Sequence, residues 1–262
     1  MEQPPPILET PQPAAPKEPT MSLPARLMNV FAVPGEVFEE VKDTRKSAAN
    51  WLVPAAIASV VGALAAIVMF SQPTIRQQIR EQQEQAFEQH IKDGKMTRQQ
   101  ADQAMTMVEK FTGPTMMAIF GSVGAVAAGF ARLFWWGLVL WLLGRWFLKA
   151  RFSYLKAVEV AGLASMITVL GMIVSMLLIV NLGKMFSTLS LGLAVSDFDV
   201  KNKSHLLLGA VNVFNFWLIA VLGAGLARLA GVPFLRAVFL VLGYWLAVSL
   251  LLIFIGLGTF AL

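Results

Sequence analysis

LLLGAVNVFNFWLIAVLGAGLA (Leu206 to Ala227), RLAGVPFLR (Arg228 to Arg236) and AVFLVLGYWLAVSLLLIFIGLGTFAL (Ala237 to Leu262) decide the fold. The two outer runs hold no charged residue. Each is longer than the roughly 20 residues that carry a helix, at ~1.5 Å per residue, across a ~30 Å hydrocarbon layer. The segment between them therefore reads as a turn at a membrane surface. Gly231 suits the end of one helix and Pro233 the start of the next, while Arg228 and Arg236 hold the turn among headgroups.

Composition points the same way. Hydrophobic residues make up 56% of the 262-residue chain and charged residues 14%, against the roughly quarter charged content of soluble domains. An all-α, polytopic membrane bundle is the expected class. The chain has no cysteine, which excludes a disulfide framework, thiolate metal ligation and a cysteine nucleophile. The net charge of +5 comes without a basic block interleaved with aromatics, so no nucleic-acid partner is expected.

Residues 1–20 are proline-rich and poor in apolar side chains, a composition expected to remain a disordered tail. No apolar h-region follows the first methionine, so no signal peptide is expected. Across residues 21–50, Leu27, Val30, Phe31, Val37, Phe38 and Val41 recur at helical spacing with Pro34 in phase, predicting a cytoplasmic amphipathic segment jointed at the proline. Two placements follow: the stripe docks on its own protein, or Phe31 and Phe38 contact the membrane or a partner, with Lys42, Arg45 and Lys46 meeting anionic headgroups.

Residues 51–262 form the expected five-span domain. Its first span, Trp51 to Phe70, repeats small residues every fourth position, in Ala55, Ser59, Ala63 and in Ala58, Gly62, Ala66, which lets other helices approach closely. Residues 72–113 interrupt the apolar pattern with balanced charge. Pro73 suits a helix start, Asp93-Gly94 a turn, and Thr97 with Gln100 a capping box, together predicting an extracytoplasmic helical hairpin.

Thr115 to Trp146 is the second span, Ala157 to Val180 the third, Leu206 to Ala227 the fourth and Ala237 to Leu262 the fifth. Arg132, the charge within span two, lies thirteen residues from Arg145, or ~20 Å along a helix. It either snorkels to the far interface or serves a functional site within the bundle. The outer part of that span either protrudes or bends at Gly121, Gly124 or Gly129. Glu159, the acidic residue in span three, is expected to pair with Arg145 or Lys156 at the helix end. Asn212 and Asn215, on one face of span four, are expected to bond between helices. His90 and His205, with Asp197 and Asp199, read as solvated residues and not as metal ligands.

Lys149, Arg151 and Lys156 lie in a short linker without acidic residues, which favours the cytoplasm for that turn and for the amino terminus, and the opposite side for the carboxy terminus. No phosphate loop, zinc-helix motif, nucleophile elbow or paired intramembrane carboxylates occur in the chain, so no catalytic residue, metal or cofactor is expected.

Asn29-Val30-Phe31-Ala32-Val33-Pro34-Gly35-Glu36-Val37-Phe38 and the following Trp51-Leu52-Val53-Pro54 resemble the Yip/Yif domain family, named for interaction with Ypt-type GTPases. Phe152-Ser153-Tyr154-Leu155-Lys156-Ala157 and Val213-Phe214-Asn215-Phe216-Trp217 are similar to its bacterial branch. The resemblance covers roughly residues 27–262. It implies five membrane helices with a cytoplasmic amino terminus, and a bacterial inner-membrane location for the bacterial branch. It also implies partner binding, since eukaryotic relatives act in vesicle trafficking. The leading expectation is a non-catalytic scaffold that organises the membrane or binds a membrane or extracytoplasmic protein, with a homo-oligomer open. The second is a small transporter or channel using Arg132 and the Asn212/Asn215 face; an intramembrane enzyme is third.

Overall fold

The computed structural model describes residues 17–111 and 113–256. Expectations for residues 1–16 of the tail and 257–262 of the fifth apolar run lie outside the described residues. The described chain folds into ten α-helices: α1 (Leu23–Asn29), α2 (Pro34–Asp43), α3 (Ala49–Ser71), α4 (Pro73–Lys92), α5 (Arg98–Phe111), α6 (Pro114–Trp146), α7 (Tyr154–Leu182), α8 (Lys203–Ala210), α9 (Val213–Ala230) and α10 (Phe234–Phe254). A short 3-10 turn occupies Leu191–Ala194. Five of these, α3, α6, α7, α9 and α10, are long and apolar enough to cross a membrane. The protein is an all-α, polytopic membrane bundle.

Two features shape the amino-terminal end. Ser22 caps α1 through the Ala25 amide, and Pro34 opens α2, where its missing N–H has no helical acceptor to lose. The apolar stripe then turns inward: Val30, Val37, Phe38 and Val41 are fully buried against the bundle, at roughly 1.5–3 kcal/mol for each large side chain removed from water. Phe31 is half-buried and meets the Trp217 ring edge-on at 5.9 Å. α7 and α9 thus cover Phe38, while Phe31 keeps part of its surface. Residues 17–20 are also fixed and not part of a loose tail: Lys17 pairs with Asp43 at 2.6 Å, and the Thr20 hydroxyl donates to Glu40 at 2.6 Å.

Within the bundle, α3 lies between α6 and α7, and α9 joins α7 to α10. Small residues set the spacing, as the four-residue repeats predict. A Cβ on Gly62 would stand 3.2 Å from Ala125, and the Ser122 hydroxyl on α6 reaches the Ala63 carbonyl at 3.3 Å. Gly162 lets α7 touch the Trp51 backbone, a contact that any larger residue would push apart.

The 33 residues of α6 run as one helix, about 50 Å at ~1.5 Å per residue, longer than a ~30 Å hydrocarbon layer. Beside its outer end stands the polar hairpin. The Thr97 and Gln100 capping box closes reciprocally at 2.9 and 3.2 Å, and Gly94 makes the turn at φ +69°. At the opposite end of the bundle, Gly231 stops α9 in the left-handed conformation, at φ +65°, and Pro233 leads into α10.

One span differs from the sequence reading. The run from Leu206 to Ala227 is not a single helix, because α8 ends at Ala210 and α9 begins at Val213. Asn212 causes the break: its side-chain oxygen accepts from the Phe214 amide at 2.8 Å, offering the backbone a helix cap in place of helix continuation. The freed backbone pairs with the preceding loop, from Leu191 N to the Val211 carbonyl and from Val213 N to the Leu189 carbonyl, both at 3.1 Å.

Candidate functional site

Polar side chains gather at two levels of the bundle. The first is a chain of charges at the amino-terminal end. Arg26 on α1 pairs with Glu40 on α2 at 2.7 Å and donates to the Asn50 side-chain oxygen at 3.0 Å. The Asn50 amide donates in turn to Glu159 on α7 at 2.7 Å. The other Glu159 oxygen lies 3.3 Å from the Lys156 ammonium, an ion-pair distance without hydrogen-bond alignment. Lys156 spends its hydrogen bonds on the carbonyls of Val41 at 2.5 Å and Arg45 at 3.2 Å.

Two cations and two carboxylates thus alternate around a neutral amide, and all five residues are buried or nearly so. Such an arrangement holds helices together, since removing one member strands its neighbours in a low-dielectric setting. Burial alone would raise the Glu40 pKa. Hydrogen bonds from Thr20, the Met21 amide and Arg26 outweigh it and hold the carboxyl below its ordinary range. Of the two partners expected for Glu159, Lys156 is the one found; Arg145 is exposed and stacks on Trp141 at 5.5 Å.

The second level is hollow. Arg132, half-buried on α6, stands in the wall of two neighbouring cavities. One, of about 260 Å³, lies among α3, α6, α7 and α9 and is walled mainly by alanine, leucine, Met172 and Trp136. The other, of about 460 Å³, extends toward the hairpin end beneath the loop between α7 and α8, and its wall includes Ser175, Thr188, Asn212 and Asn215. Arg132, Thr168 and Met172 line both and so stand at the boundary between the two cavities. Arg132 is the one charged residue in either lining.

The structure therefore brings together Arg132, Asn212 and Asn215 and leaves Glu159 apart, in the charge chain. The asparagines do not bond between transmembrane helices as expected. Asn212 caps α9, and the Asn215 amide donates to the Ala210 carbonyl at 3.2 Å, so both brace the α8–α9 break. His90 is exposed, and His205 accepts the Asp199 amide at 3.1 Å while its ring faces Phe198. No group of three or more His, Asp or Glu among the described residues is placed to hold a metal ion.

Arg26, Glu40 and Asn50 escaped the sequence reading, although a signal existed. Arg26 precedes the buried Val30 by four residues and Asn50 precedes the buried Pro54 by four. A polar group in phase with an apolar stripe points inward and requires a partner.

Comparison with known proteins gives one match. A family model described as the Yip1 domain matches residues 28–257. No curated protein and no solved structure matches the chain.

Proposed function

The chain belongs to the Yip1 domain family, and from that premise we propose that it is a non-catalytic scaffold that presents a protein-binding surface outside the bilayer on the α4–α5 hairpin. One observation carries this reading: the hairpin is built to be held and exposed. Gln78 on α4 clamps it to the bundle, donating to the Gly183 carbonyl at 2.7 Å and accepting the Met185 amide at 3.1 Å. By contrast α5 leans on α4, with Ala101 buried and Met105 and Val108 half-buried, and leaves Met107 68% exposed. A rigidly footed polar arm with an uncovered methionine suits partner binding better than bundle stability.

The orientation proposed with it is a bacterial inner membrane with the amino terminus in the cytoplasm. Lys42, Arg45, Lys149, Arg151, Arg228 and Arg236 lie at or beside the bundle end opposite the hairpin, and basic residues in short loops favour the cytoplasmic side. Reporter fusions after Lys95 and Lys201 are expected to read extracytoplasmic, and fusions after Phe152 and Gly231 cytoplasmic; two swapped assignments overturn it. Replacing residues 73–113 with a short flexible linker is expected to leave an inserted bundle that loses its cross-linked protein partners. Retention of the same partners after that replacement removes the hairpin as the binding surface.

A second reading has its own observation. A small transporter requires Arg132 or the Asn212/Asn215 face to border a cavity, and all three line the same one. Under that reading Arg132→Gln abolishes function while the hairpin replacement is mild.

A further inference from the structure

Two charged surfaces of the molecule explain themselves. Arg145, Lys149 and Arg151 are exposed in and beside the α6–α7 turn, as basic residues at a membrane face are. The cleft between α4 and the α7–α8 loop is walled by lysine, aspartate and glutamine side chains, with no buried charge to fix a guest. The turn between α1 and α2 has no such account, for it is apolar, partly uncovered and set inside the level of the headgroup arginines.

Its depth follows from what the α1–α2 pair touches on α9. Arg228 stands at the headgroup turn that ends α9, and a Cβ on Gly35 would lie 3.2 Å from its guanidinium. Further in, the Phe38 ring meets Gly225, where a Cβ would lie 3.3 Å away. Phe31, in the turn itself, meets Trp217. Trp217 precedes Arg228 by eleven residues, or about 16 Å along the helix. The two rings span only part of that distance, so the turn lies inside the Arg228 level.

The turn is also suited to such a place. Leu27 to Gly35 carries no formal charge, between Arg26 and Glu36. Arg26 is paired with Glu40 at 2.7 Å, and Glu36 directly follows Gly35, which keeps its exposed carboxylate near the Arg228 guanidinium level. In hydrocarbon every backbone amide needs a partner within the chain. The amides of Val30, Phe31, Ala32 and Val33 donate to the carbonyls of Arg26, Met28 and Asn29, and Pro34 has no amide hydrogen to satisfy. One edge of the turn faces the bundle through Val30 and Phe31. The other leaves Met28 70% and Val33 38% exposed, with Ala32 exposed as well.

We propose that the α1–α2 pair is a re-entrant wedge in one leaflet: its turn enters the acyl-chain region at the amino-terminal end of the bundle, where lipid chains cover Met28, Ala32 and Val33. The partner is the hydrocarbon of a single leaflet. An apolar helix face of this kind reaches ~5–10 Å into the headgroup–acyl boundary, the order of depth that the Trp217 contact gives. The charge chain holds the wedge in place, since Arg26 and Glu40 are costly to bury unpaired. The inference goes beyond both functional readings above, neither of which needs the amino-terminal helices to touch lipid.

The chain has no cysteine, so a nitroxide can be attached to single cysteines in the full chain, reconstituted in vesicles of phosphatidylethanolamine and phosphatidylglycerol. Met28→Cys and Val33→Cys probe the turn. Lys42→Cys, at the far end of α2, is the aqueous reference, and Leu64→Cys, 54% exposed on α3, is the lipid reference. Oxygen concentrates in hydrocarbon and a nickel chelate in water, so the ratio of their collision rates with the nitroxide reads depth. At positions 28 and 33 that ratio is expected to exceed the Lys42→Cys value several-fold and to lie toward the Leu64→Cys value. Both labels replace exposed side chains and remove no contact that holds the pair, so the two positions must agree. Ratios equal to the aqueous reference at either position would overturn the proposal. So would exclusion of both reagents, which would place protein, such as a second copy of the chain, over the turn.

Discussion

At its amino-terminal end the bundle packs ionised side chains against one another, whereas halfway toward the hairpin an arginine stands in the wall of two cavities. The charge chain of Glu40, Arg26, Asn50, Glu159 and Lys156 draws on four helices, α1, α2, α3 and α7. Arg132 borders two cavities. Both arrangements place charge among apolar helices, the first in a packed interior and the second beside open volume.

Breaking the charge chain should have the largest effect. Asn50 is fully buried and bridges the two ion pairs, so Asn50→Leu takes one buried hydrogen bond from each of Arg26 and Glu159 and is expected to cost about 3–5 kcal/mol of stability. In an unfolding assay in detergent, Arg132→Gln is expected to cost less than Asn50→Leu, since Arg132 is half-buried and borders open volume. Equal losses from the two substitutions would erase the distinction between the clusters.

A smaller effect sharpens the packed side. Glu159→Gln keeps an acceptor for the Asn50 amide, and Lys156 keeps the Val41 and Arg45 carbonyls. What disappears is the attraction to Lys156, at a cost of about 1 kcal/mol. Partner binding by the hairpin should be unchanged. Complete loss of function in a stably inserted Glu159→Gln protein would instead place the carboxyl in proton coupling.

The smallest expected effect is a displaced acid transition. Because the Glu40 pKa lies below the ordinary glutamate value of 4.5 when folded, its contribution is fully present above the unfolded pKa and fades as pH falls through the depressed folded value. Pepsin, active in acid, should therefore leave α1 and α2 uncut at pH values near 4.5 and begin to cut them only below. Glu40→Gln should be cut at all those pH values. Identical pH profiles for the two proteins would remove Glu40 from the docking of α1.

The spans were legible in the sequence because each is announced locally, by an apolar run bounded by proline, glycine or charge. The limits of α3, α6, α7 and α10 fall within a few residues of those runs among the described residues. The α8–α9 break was not read, although Asn212 followed by an apolar stretch is a helix-start signal; uniform hydrophobicity on both sides masked it. Arg132, Glu159, Asn212 and Asn215 stood out as polar groups in apolar surroundings. Which of them share a cavity depends on how α6, α7 and α9 lie together, and that is tertiary information. Phe38 shows the same limit, since periodicity defines its stripe but not whether the bundle or a membrane covers it.

The break at Asn212 has one further consequence, for the membrane around the protein. With 18 residues α9 is about 27 Å long, while α6 beside it approaches 50 Å and α10 about 31 Å. The bundle therefore presents unequal hydrophobic heights to the lipid around its perimeter. Where α9 faces lipid, through half-exposed residues such as Phe216, a ~30 Å hydrocarbon layer overshoots it by ~3 Å. Acyl chains there must compress, or α8 and its loop must sink to meet them. Each adjustment costs fractions of a kcal/mol per Å.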